Sequence, residues 1–379
     1  MKKLTIISHT EHYKTTEGQL VGFGATVTEI NGLLEVFDKI VHVAVLYDQA
    51  PPLSALPYRS KAIRLVALPR VGGKSISDKL KVMWNAPKIL SIIHNSLKGS
   101  THFQFRAPTG MGVYVIPYLV FFSSKKGWFK YAGNWKQKHA PLAYQFQRWV
   151  LKQQHRKVTI NGNWPNQPKH CLSFENPCLT NEELATGKIT RNTKDVSTGK
   201  RTLCFVGRME AAKGIELLIE SLLSLNPLDK DLIDTIHFIG QGEGIDNYKQ
   251  RLAESGMSFT FHGTLPRNSV HHIYKSSHFL ILPSQSEGFP KVVSEALNYG
   301  CVPVVSNVSA IGQYITHGKQ GVLLNRLTTR NLTQRLQFCL QMDANQFKAC
   351  IHQPEPFYEQ FTYAHYNNRI FNEVLKADI

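Results

Sequence analysis

The sequence lacks an apolar run long enough to cross a membrane. Its longest apolar stretch, from Met111 to Phe122, contains Pro117 and falls well short of the roughly 20 residues that a transmembrane helix requires. The apolar residues after two amino-terminal lysines end at Ile7, too early for the core of a secretory signal peptide. We therefore expect no transmembrane helix, and this first segment predicts a β-strand.

Cysteine pairs with the spacing of metal ligands or redox motifs are also missing. The chain has 6 cysteines among 379 residues, none forms a C-x-x-C pair, and several lie within apolar segments that predict strands. Unpaired cysteines of this kind are typical of a reducing compartment. We therefore expect a cytoplasmic protein that binds no metal.

Acidic residues are nearly absent from a long part of the first half. Between Arg59 and Lys169 the sequence has 20 lysines and arginines against one acid, Asp78, whereas residues 200–379 hold 17 basic and 16 acidic residues. The net charge of +17 is thus concentrated in the first half. It indicates an anionic counterpart: a membrane surface, a phosphorylated lipid acceptor or nucleic acid. The alternative is that the charges surround the domain and only keep it soluble.

The length and the order of apolar segments predict two α/β domains. With 42% apolar and 19% charged residues the chain is typical of folded proteins, and it is about twice the common domain size. In the second half, short β-branched or aromatic runs alternate with helical patterns, which predicts a doubly wound parallel sheet. The strand candidates there are Leu203–Val206, Ile236–Ile239, Phe259–His262, Phe279–Leu282 and Val302–Val305.

The domain boundaries are predicted from polar and aromatic segments. Residues 180–201 have few apolar side chains, so we expect a linker between a first domain at residues 1–180 and a second at residues 200–355. Residues 356–379 carry aromatic side chains in a helical register. We expect them to form a helix that packs back on the first domain.

Two basic residues are candidates for a diphosphate site. Arg208 and Lys213 lie just after a predicted strand and at the opening of a helix, where parallel sheets bind ligands and helix amides face anions. Arginine offers a planar fork and lysine a mobile charge, a combination suited to a diphosphate. Alternatively, both are solvated loop charges.

Two glutamates further along the chain are candidates for binding hydroxyl groups. Glu287 lies in the loop after the predicted strand Phe279–Leu282, and Glu295 lies on the helix that begins near Pro290. Carboxylates are natural acceptors for sugar and ribose hydroxyls, so Glu295 is expected to bind a ribose and Glu287 a sugar, with the helix amides facing the phosphates between them. The alternative is a pair of surface charges.

Together these segments resemble the family 4 retaining glycosyltransferases. The resemblance rests on GRMEAAKG, FIGQGEG, FHGTLPRNSVHHIYKSSHFLILPS, EGFPKVVSEAL and GCVPVVSN, which follow in order within residues 200–325. It implies the GT-B architecture: two Rossmann-like, doubly wound parallel-sheet domains that face each other across a cleft. It also implies transfer with retention of the anomeric configuration and without a metal or other cofactor.

The resemblance implies a role for individual residues. Arg208 and Lys213 would hold the donor diphosphate, Glu287 would contact the transferred sugar, and Glu295 would bind the ribose. The remaining expected donor contacts are Gly263, Leu265, Gly288, Phe289, Pro290 and Lys291. Many family members have glycine where Pro290 stands, and proline removes one amide from the phosphate contacts.

Acceptor residues in the first half are harder to identify, because the glycine doublet of the family is absent from the loop between His9 and Gly24. His102 is expected at the cleft end of a strand, where it would guide the acceptor or assist the leaving phosphate. The alternative is a packed, hydrogen-bonded strand histidine.

The sequence therefore predicts an enzyme that moves a sugar from a nucleoside-diphosphate sugar, with a UDP-sugar favoured, to a glycan or lipid-linked acceptor in cell-surface polysaccharide or lipopolysaccharide synthesis. We expect it on the inner face of the cytoplasmic membrane, bound to anionic lipid through lysines near Trp128, Phe129 and Trp135, and not to nucleic acid. The alternatives are a nucleotide-sugar epimerase or hydrolase of the same architecture, and a polyanion-binding protein with a relict sugar site.

Overall fold

The chain forms two compact units. A computed structural model describes residues 1–71, 73, 75–197 and 199–376, and only the backbone of residues 76–79. The first unit comprises residues 1–176 and the segment that begins at Tyr363, and the second comprises Pro177–Thr362. Each unit is built on a parallel sheet, so the predicted α/β class with two parallel-sheet domains is confirmed.

The first unit is built around the strand β1. Its elements up to residue 176 are β1 (Lys3–Lys14), β2 (Leu20–Phe23), α1 (Gly24–Gly32), β3 (Lys39–Leu46), β4 (Ala55–Pro57), β5 (Ile63–Leu68), α2 (Ile76–Trp84), α3 (Ala86–Lys98), β6 (His102–Ala107), α4 (Gly112–Phe121), β7 (Lys126–Tyr131), α5 (Leu142–Gln153), β8 (Val158–Ile160) and β9 (Cys171–Ser173). The parallel order is β5-β3-β1-β6-β7-β8-β9, and β2 and β4 extend the sheet antiparallel beyond the end of β1.

Helices cover both faces of this sheet. One core contains residues of α2, α3, α4 and α5 together with strand residues such as Phe103 and Phe129. The other contains α1 and the carboxyl-terminal segment together with Leu4 and Trp128. Because both faces are covered, successive strand residues are buried alike, as is usual in parallel sheets.

The second unit contains a parallel sheet of order β12-β11-β10-β13-β14-β15. Its elements are α6 (Asn181–Thr193), β10 (Arg201–Val206), α7 (Ile215–Leu223), α8 (Pro227–Asp231), β11 (Ile233–Ile239), α9 (Ile245–Ala253), β12 (Phe259–Gly263), α10 (Arg267–Ser276), β13 (Phe279–Leu282), α11 (Lys291–Asn298), β14 (Val302–Ser306), α12 (Ile311–Tyr314), β15 (Val322–Leu324), α13 (Thr329–Leu340), α14 (Ala344–Ile351) and α15 (Glu355–Glu359). Each strand predicted in this half lies within an observed strand, and the bounds differ by at most three residues.

The polar segment predicted as a linker is instead a helix of the second unit. Thr180 and Glu183 form a capping box at the start of α6, in which each side chain accepts a hydrogen bond from the backbone amide of the other residue. Further along the helix, Arg191 is buried and donates from Nη1 to the Asn298 carbonyl at 2.8 Å. The linker prediction was wrong because this helix packs through a glycine, Gly187, and a hydrogen-bonded arginine rather than through apolar side chains.

The carboxyl-terminal segment is not the single helix predicted for residues 356–379. The short helix α15 belongs to the second unit, and α16 (Tyr363–Arg369) begins the return to the first, followed by a π-helical turn at Ile370–Leu375. Ile370 and Val374 pack into the first unit's core. Residues 377–379 of the predicted helix lie outside the described residues, as does Lys74 of the basic stretch.

The aromatic residues expected at lipid headgroups are buried. Trp128 and Phe129 lie on the central strand β7 with no exposed surface, and Trp135 is 3% exposed, with its ring against Tyr131. Lys130 is buried as well, with Nζ 2.6 Å from Glu29 Oε1. The prediction failed because both faces of this strand are covered by helices. Over the described part of the chain, no helix is long and apolar enough to cross a membrane.

A capped helix at residues 181–193 should protect its amides from hydrogen exchange. Thr180→Ala removes the hydroxyl that accepts from the Glu183 amide, so we expect faster exchange in the first turn and a loss of about 1 kcal/mol in unfolding free energy. Hydrogen exchange read by mass spectrometry measures both. Thr193→Ala, at the other end of the helix, is the control. Fast exchange of all amides of residues 181–193 in the unaltered protein would contradict this helix and support the predicted linker.

Candidate functional site

The loops at the carboxyl edge of the second sheet are held together by backbone contacts. The Met209 amide donates to the Gln241 carbonyl at 2.8 Å, which joins the loop after β10 to the loop after β11. Gly240 adopts a φ of +133° and lies so close to Gly207 that a Cβ would be 1.9 Å from the Gly207 oxygen. Only glycine fits there. This edge is where parallel sheets bind ligands.

Lys213 and Glu287 meet at this edge from different strands. Lys213 ends a single 3-10 turn between β10 and α7, and Glu287 lies in the loop between β13 and α11. The Lys213 Nζ is 2.5 Å from Glu287 Oε1, and both side chains are largely buried. The Gln285 amide also donates to the Ala212 carbonyl at 2.9 Å, which fixes the two loops together. The pair places a cation and a hydroxyl acceptor side by side.

Arg208 remains largely in solvent. Its side chain is 75% exposed, and its Nη2 is 3.0 Å from Glu210 Oε1, two residues along the same loop. An exposed local pair of this kind contributes little to stability. The Arg208 guanidinium can therefore turn toward an anion at small energetic cost.

The residues that follow Glu287 contribute unequally to the surface. The Phe289 side chain is buried and stacks on Phe361 with ring centroids 5.5 Å apart, so only its backbone remains to contact a ligand. Pro290 is the N-cap of α11, and Gly288 and Lys291 are partly buried beside it.

The loop after β12 supplies the remaining expected contacts. Gly263 ends β12 with a φ of +67°, and a Cβ there would meet no described atom within 4 Å. Leu265 follows it and is partly buried. The backbone of this loop therefore borders open space.

Glu295 is held by an arginine that the sequence analysis missed. Glu295 lies on α11 with 7% of its surface exposed, and its Oε1 accepts from Arg267 Nη1 at 2.5 Å. The same guanidinium binds Glu183 bidentately, at 2.9 Å from Nε and 3.0 Å from Nη2, and also donates to the Cys178 carbonyl. Burial raises the pKa of Glu183, but hydrogen bonding and charge from Arg267 outweigh it and lower that pKa. Arg267 thus fixes the Glu295 carboxylate and leaves Oε2 for another donor.

His102 does not lie where the sequence analysis expected it. It is the first residue of β6 and pairs with Leu4 near the start of β1, so it lies at the amino edge of the first sheet. Its ring packs edge-on against Phe37 at 5.8 Å, and Nδ1 is 2.9 Å from Thr101 Oγ1. Ligands bind at the opposite, carboxyl edge, so the position contradicts the expectation of a cleft residue.

The first sheet carries a buried polar chain beside β1 and β3. His42 Nε2 is 2.7 Å from Ser8 Oγ, His42 Nδ1 is 2.5 Å from the Tyr58 hydroxyl, and that hydroxyl is 2.7 Å from His12 Nε2. Burial lowers the pKa of both histidines, which keeps them neutral at pH 7. Nothing in the spacing of these residues along the chain predicted the network.

The described side chains contain no group of three or more histidine, cysteine, aspartate or glutamate residues placed to hold an ion. The triplet Asp229-Lys230-Asp231 has the hard oxygen ligands of a cation site, but Asp229 is buried and accepts from Gln337 and Gln341 at 2.7 and 3.0 Å. It lies before β11, at the amino edge of the sheet.

The two parallel-sheet units have the fold of the GT-B glycosyltransferases. The sucrose-phosphate synthase of Thermosynechococcus elongatus has a TM-score of 0.71 at 16% identity, with 100% of both chains covered. The Anabaena protein HepE, solved in complex with UDP, has a TM-score of 0.69 at 14% identity, again with 100% of both chains covered. At these identities the likeness establishes the fold alone.

The family match lies within the second unit. Residues 188–351 match the family model of glycosyl transferases group 1. An uncharacterized glycosyltransferase of Haemophilus influenzae is 29% identical over 146 residues, which cover 37% of this chain and 39% of that protein. The chain spans less than two fifths of the length of the curated relatives it matches. The matched part of this chain is thus similar to glycosyl transferases group 1.

Removing the Arg267 guanidinium should destabilise the second unit. Arg267→Met leaves the carboxylates of Glu183 and Glu295 without their cationic partner. We expect a loss of about 2–4 kcal/mol in unfolding free energy, measured by urea denaturation. Adding Glu183→Gln to this variant removes one of the two unpaired charges and should recover part of the lost unfolding free energy. Arg330→Met, at an exposed position, is the control. A loss no larger than that of the control would contradict the role of Arg267 as the anchor of both carboxylates.

Proposed function

We propose that this chain is a retaining glycosyltransferase that transfers a sugar from a nucleoside-diphosphate sugar, with a UDP-sugar favoured, to a glycan or lipid-linked acceptor at the inner face of the cytoplasmic membrane. The observation that carries the proposal is the Lys213–Glu287 pair at the carboxyl edge of a sheet whose domain matches glycosyl transferases group 1. Support for the nucleotide comes from HepE, a structural neighbour solved with UDP.

In this proposal the diphosphate is held by protein cations without a metal. Lys213 is already at the site, and Arg208 is exposed and paired only with Glu210, so it can swing onto the phosphates. Fixed or easily recruited cations stabilise the charge that develops on the departing diphosphate. Helix α11 begins at Lys291, after Gly288 and the N-cap Pro290. Its first amides form the positive end of the helix dipole.

The two glutamates then bind the two ends of the donor. Glu287 accepts from hydroxyls of the sugar, and Lys213 beside it exchanges one carboxylate partner for the phosphate oxygens. Glu295, fixed by Arg267, presents its second oxygen to the ribose hydroxyls. Gly263 and Leu265 border the nucleotide base with backbone.

Retention requires that the acceptor attack from the face that the diphosphate leaves. The bond from the anomeric carbon to the phosphate oxygen breaks, the bond to the acceptor oxygen forms, and the acceptor proton passes to the departing phosphate. No protein base is needed on that path, which agrees with the amino-edge position of His102. The anomeric configuration of the product, read by NMR, tests this step.

Nucleotide binding should separate the roles of the two glutamates. UDP should raise the stability of the protein, by roughly 2.7 kcal/mol at 100 times its dissociation constant. Glu295→Ala should weaken UDP binding by about 1–3 kcal/mol in calorimetry through lost charged hydrogen bonds, while Glu287→Ala should bind UDP and lose turnover. Unchanged UDP binding by Glu295→Ala would show that the ribose role is wrong. Sugar release without an acceptor would point to a hydrolase.

Charge stabilisation of the leaving group should depend on the two cations. Arg208→Ala and Lys213→Ala should each lower kcat about a hundredfold or more, since each removes a charge directed at the diphosphate. Arg330→Ala, far along the chain and exposed, is the control. Activity should persist in excess EDTA. Loss of transfer in EDTA with recovery on adding manganese or magnesium would contradict the metal-free mechanism.

A further inference from the structure

The first unit exposes large apolar side chains on one helix. In α5, Leu142, Phe146 and Trp149 follow at i, i+4 and i+7, so they share one face of the helix. Leu142 is 82% and Trp149 60% exposed, and the rings of Phe146 and Trp149 lie 6.2 Å apart. The opposite face, with Gln147 and Leu151, is buried. Single exposed apolar residues are ordinary, but a stripe of three is not.

A second pair of exposed aromatic residues lies at the end of the neighbouring helix α4. Phe121 and Phe122, at the end of α4, are 72% and 79% exposed, and α4 packs against α5. Arg156, three residues beyond α5, donates to the carbonyls of Val120 and Ser123, which flank this pair. The two phenylalanines therefore lie near the end of α5 that carries Trp149. We name Leu142, Phe146 and Trp149 of α5 the aromatic face.

The sequence on either side of the aromatic face is rich in basic residues. From Ile76 to Gln153 it has one acid, Asp78, against 12 lysines and arginines, of which Arg106 and Lys130 pair with Glu29. Near α5, the pKa of Lys152 is lowered by burial and by the charges of Lys136 and Arg148. Three cations thus lie close enough to repel one another, and an anionic surface would relieve the repulsion.

We propose that the aromatic face and the cations around it bind the anionic lipid surface of a membrane. Aromatic side chains are suited to the headgroup level and leucine to the acyl boundary, while lysines and arginines attract anionic headgroups. A helix face with apolar residues at i, i+4 and i+7 is typical of a helix at a membrane interface. A site for single-stranded nucleic acid would be a positively charged groove with aromatic side chains on which the bases stack. The proposal deepens the proposed function, since it supplies the surface on which a lipid-linked acceptor would be met.

Vesicle flotation of the full chain tests the surface. We expect binding to vesicles of equal parts phosphatidylcholine and phosphatidylglycerol, weakened by salt, and little binding to phosphatidylcholine alone. Phe146→Ser with Trp149→Ser should lower the partition coefficient about tenfold or more. Lys136→Gln and Lys138→Gln should each lower it about fivefold. In unaltered protein, the fluorescence of Trp149 should shift to the blue on vesicles, a change that Trp149→Phe should diminish.

Matched controls keep the test independent of folding and of the donor site. Leu228→Ser and Phe338→Ser remove exposed apolar side chains of the second unit and should leave vesicle binding unchanged. The circular-dichroism spectrum and melting temperature of each first-unit variant report its folding. Equal binding to neutral and anionic vesicles, binding to a nucleic-acid oligomer but not to vesicles, or full binding by the Phe146/Trp149 variant would overturn the proposal. Vesicle binding without UDP binding would support the membrane-binding surface and contradict the proposed transferase function. UDP binding without vesicle binding would contradict the membrane-binding surface alone.

Discussion

The ion pair between Lys213 and Glu287 is the contact on which the candidate site depends. The two residues are 74 positions apart, and they meet because β10 and β13 are parallel neighbours whose following loops leave the same edge. The loops can approach because Gly214 adopts a φ of +77° and leaves no room for a Cβ beside the Pro283 carbonyl. Held together in a largely buried position, the lysine and the carboxylate neutralise each other's charge.

Arg267 plays the corresponding part for Glu295. A buried carboxylate costs several kcal/mol unless it is paired and hydrogen-bonded, and one guanidinium serves two carboxylates here, from α6 and α11. The same guanidinium reaches the Cys178 carbonyl, close to where the chain enters the second unit. Helix α6 is thereby part of the frame of the site, although its sequence reads as solvent-exposed loop.

The sequence predicted the sheets better than it predicted side-chain partners. Apolar β-branched runs located β10, β13 and β14, because a strand buried on both faces leaves a continuous apolar signature. The motifs located Lys213 and Glu287 at one edge. They did not reveal Arg267, since its distance from Glu295 depends on how two helices pack. They also misplaced His102. The apolar pattern of a short strand does not show at which end of the strand a residue lies, and ligands bind at the carboxyl end.

The aromatics of the first unit show why neighbours in sequence are poor guides to a shared surface. Trp128 lies among lysines along the chain, yet a strand between two helix layers has no outward face, so it is buried. Helix α5 has one buried and one outward side, and its 3.6-residue period assigns Val150 inward and Trp149 outward. No rotation of this helix could bury Phe146 and Trp149 without exposing Leu151, which lies on the opposite face. The outward set can therefore be covered only by a surface that the core of the first unit does not provide.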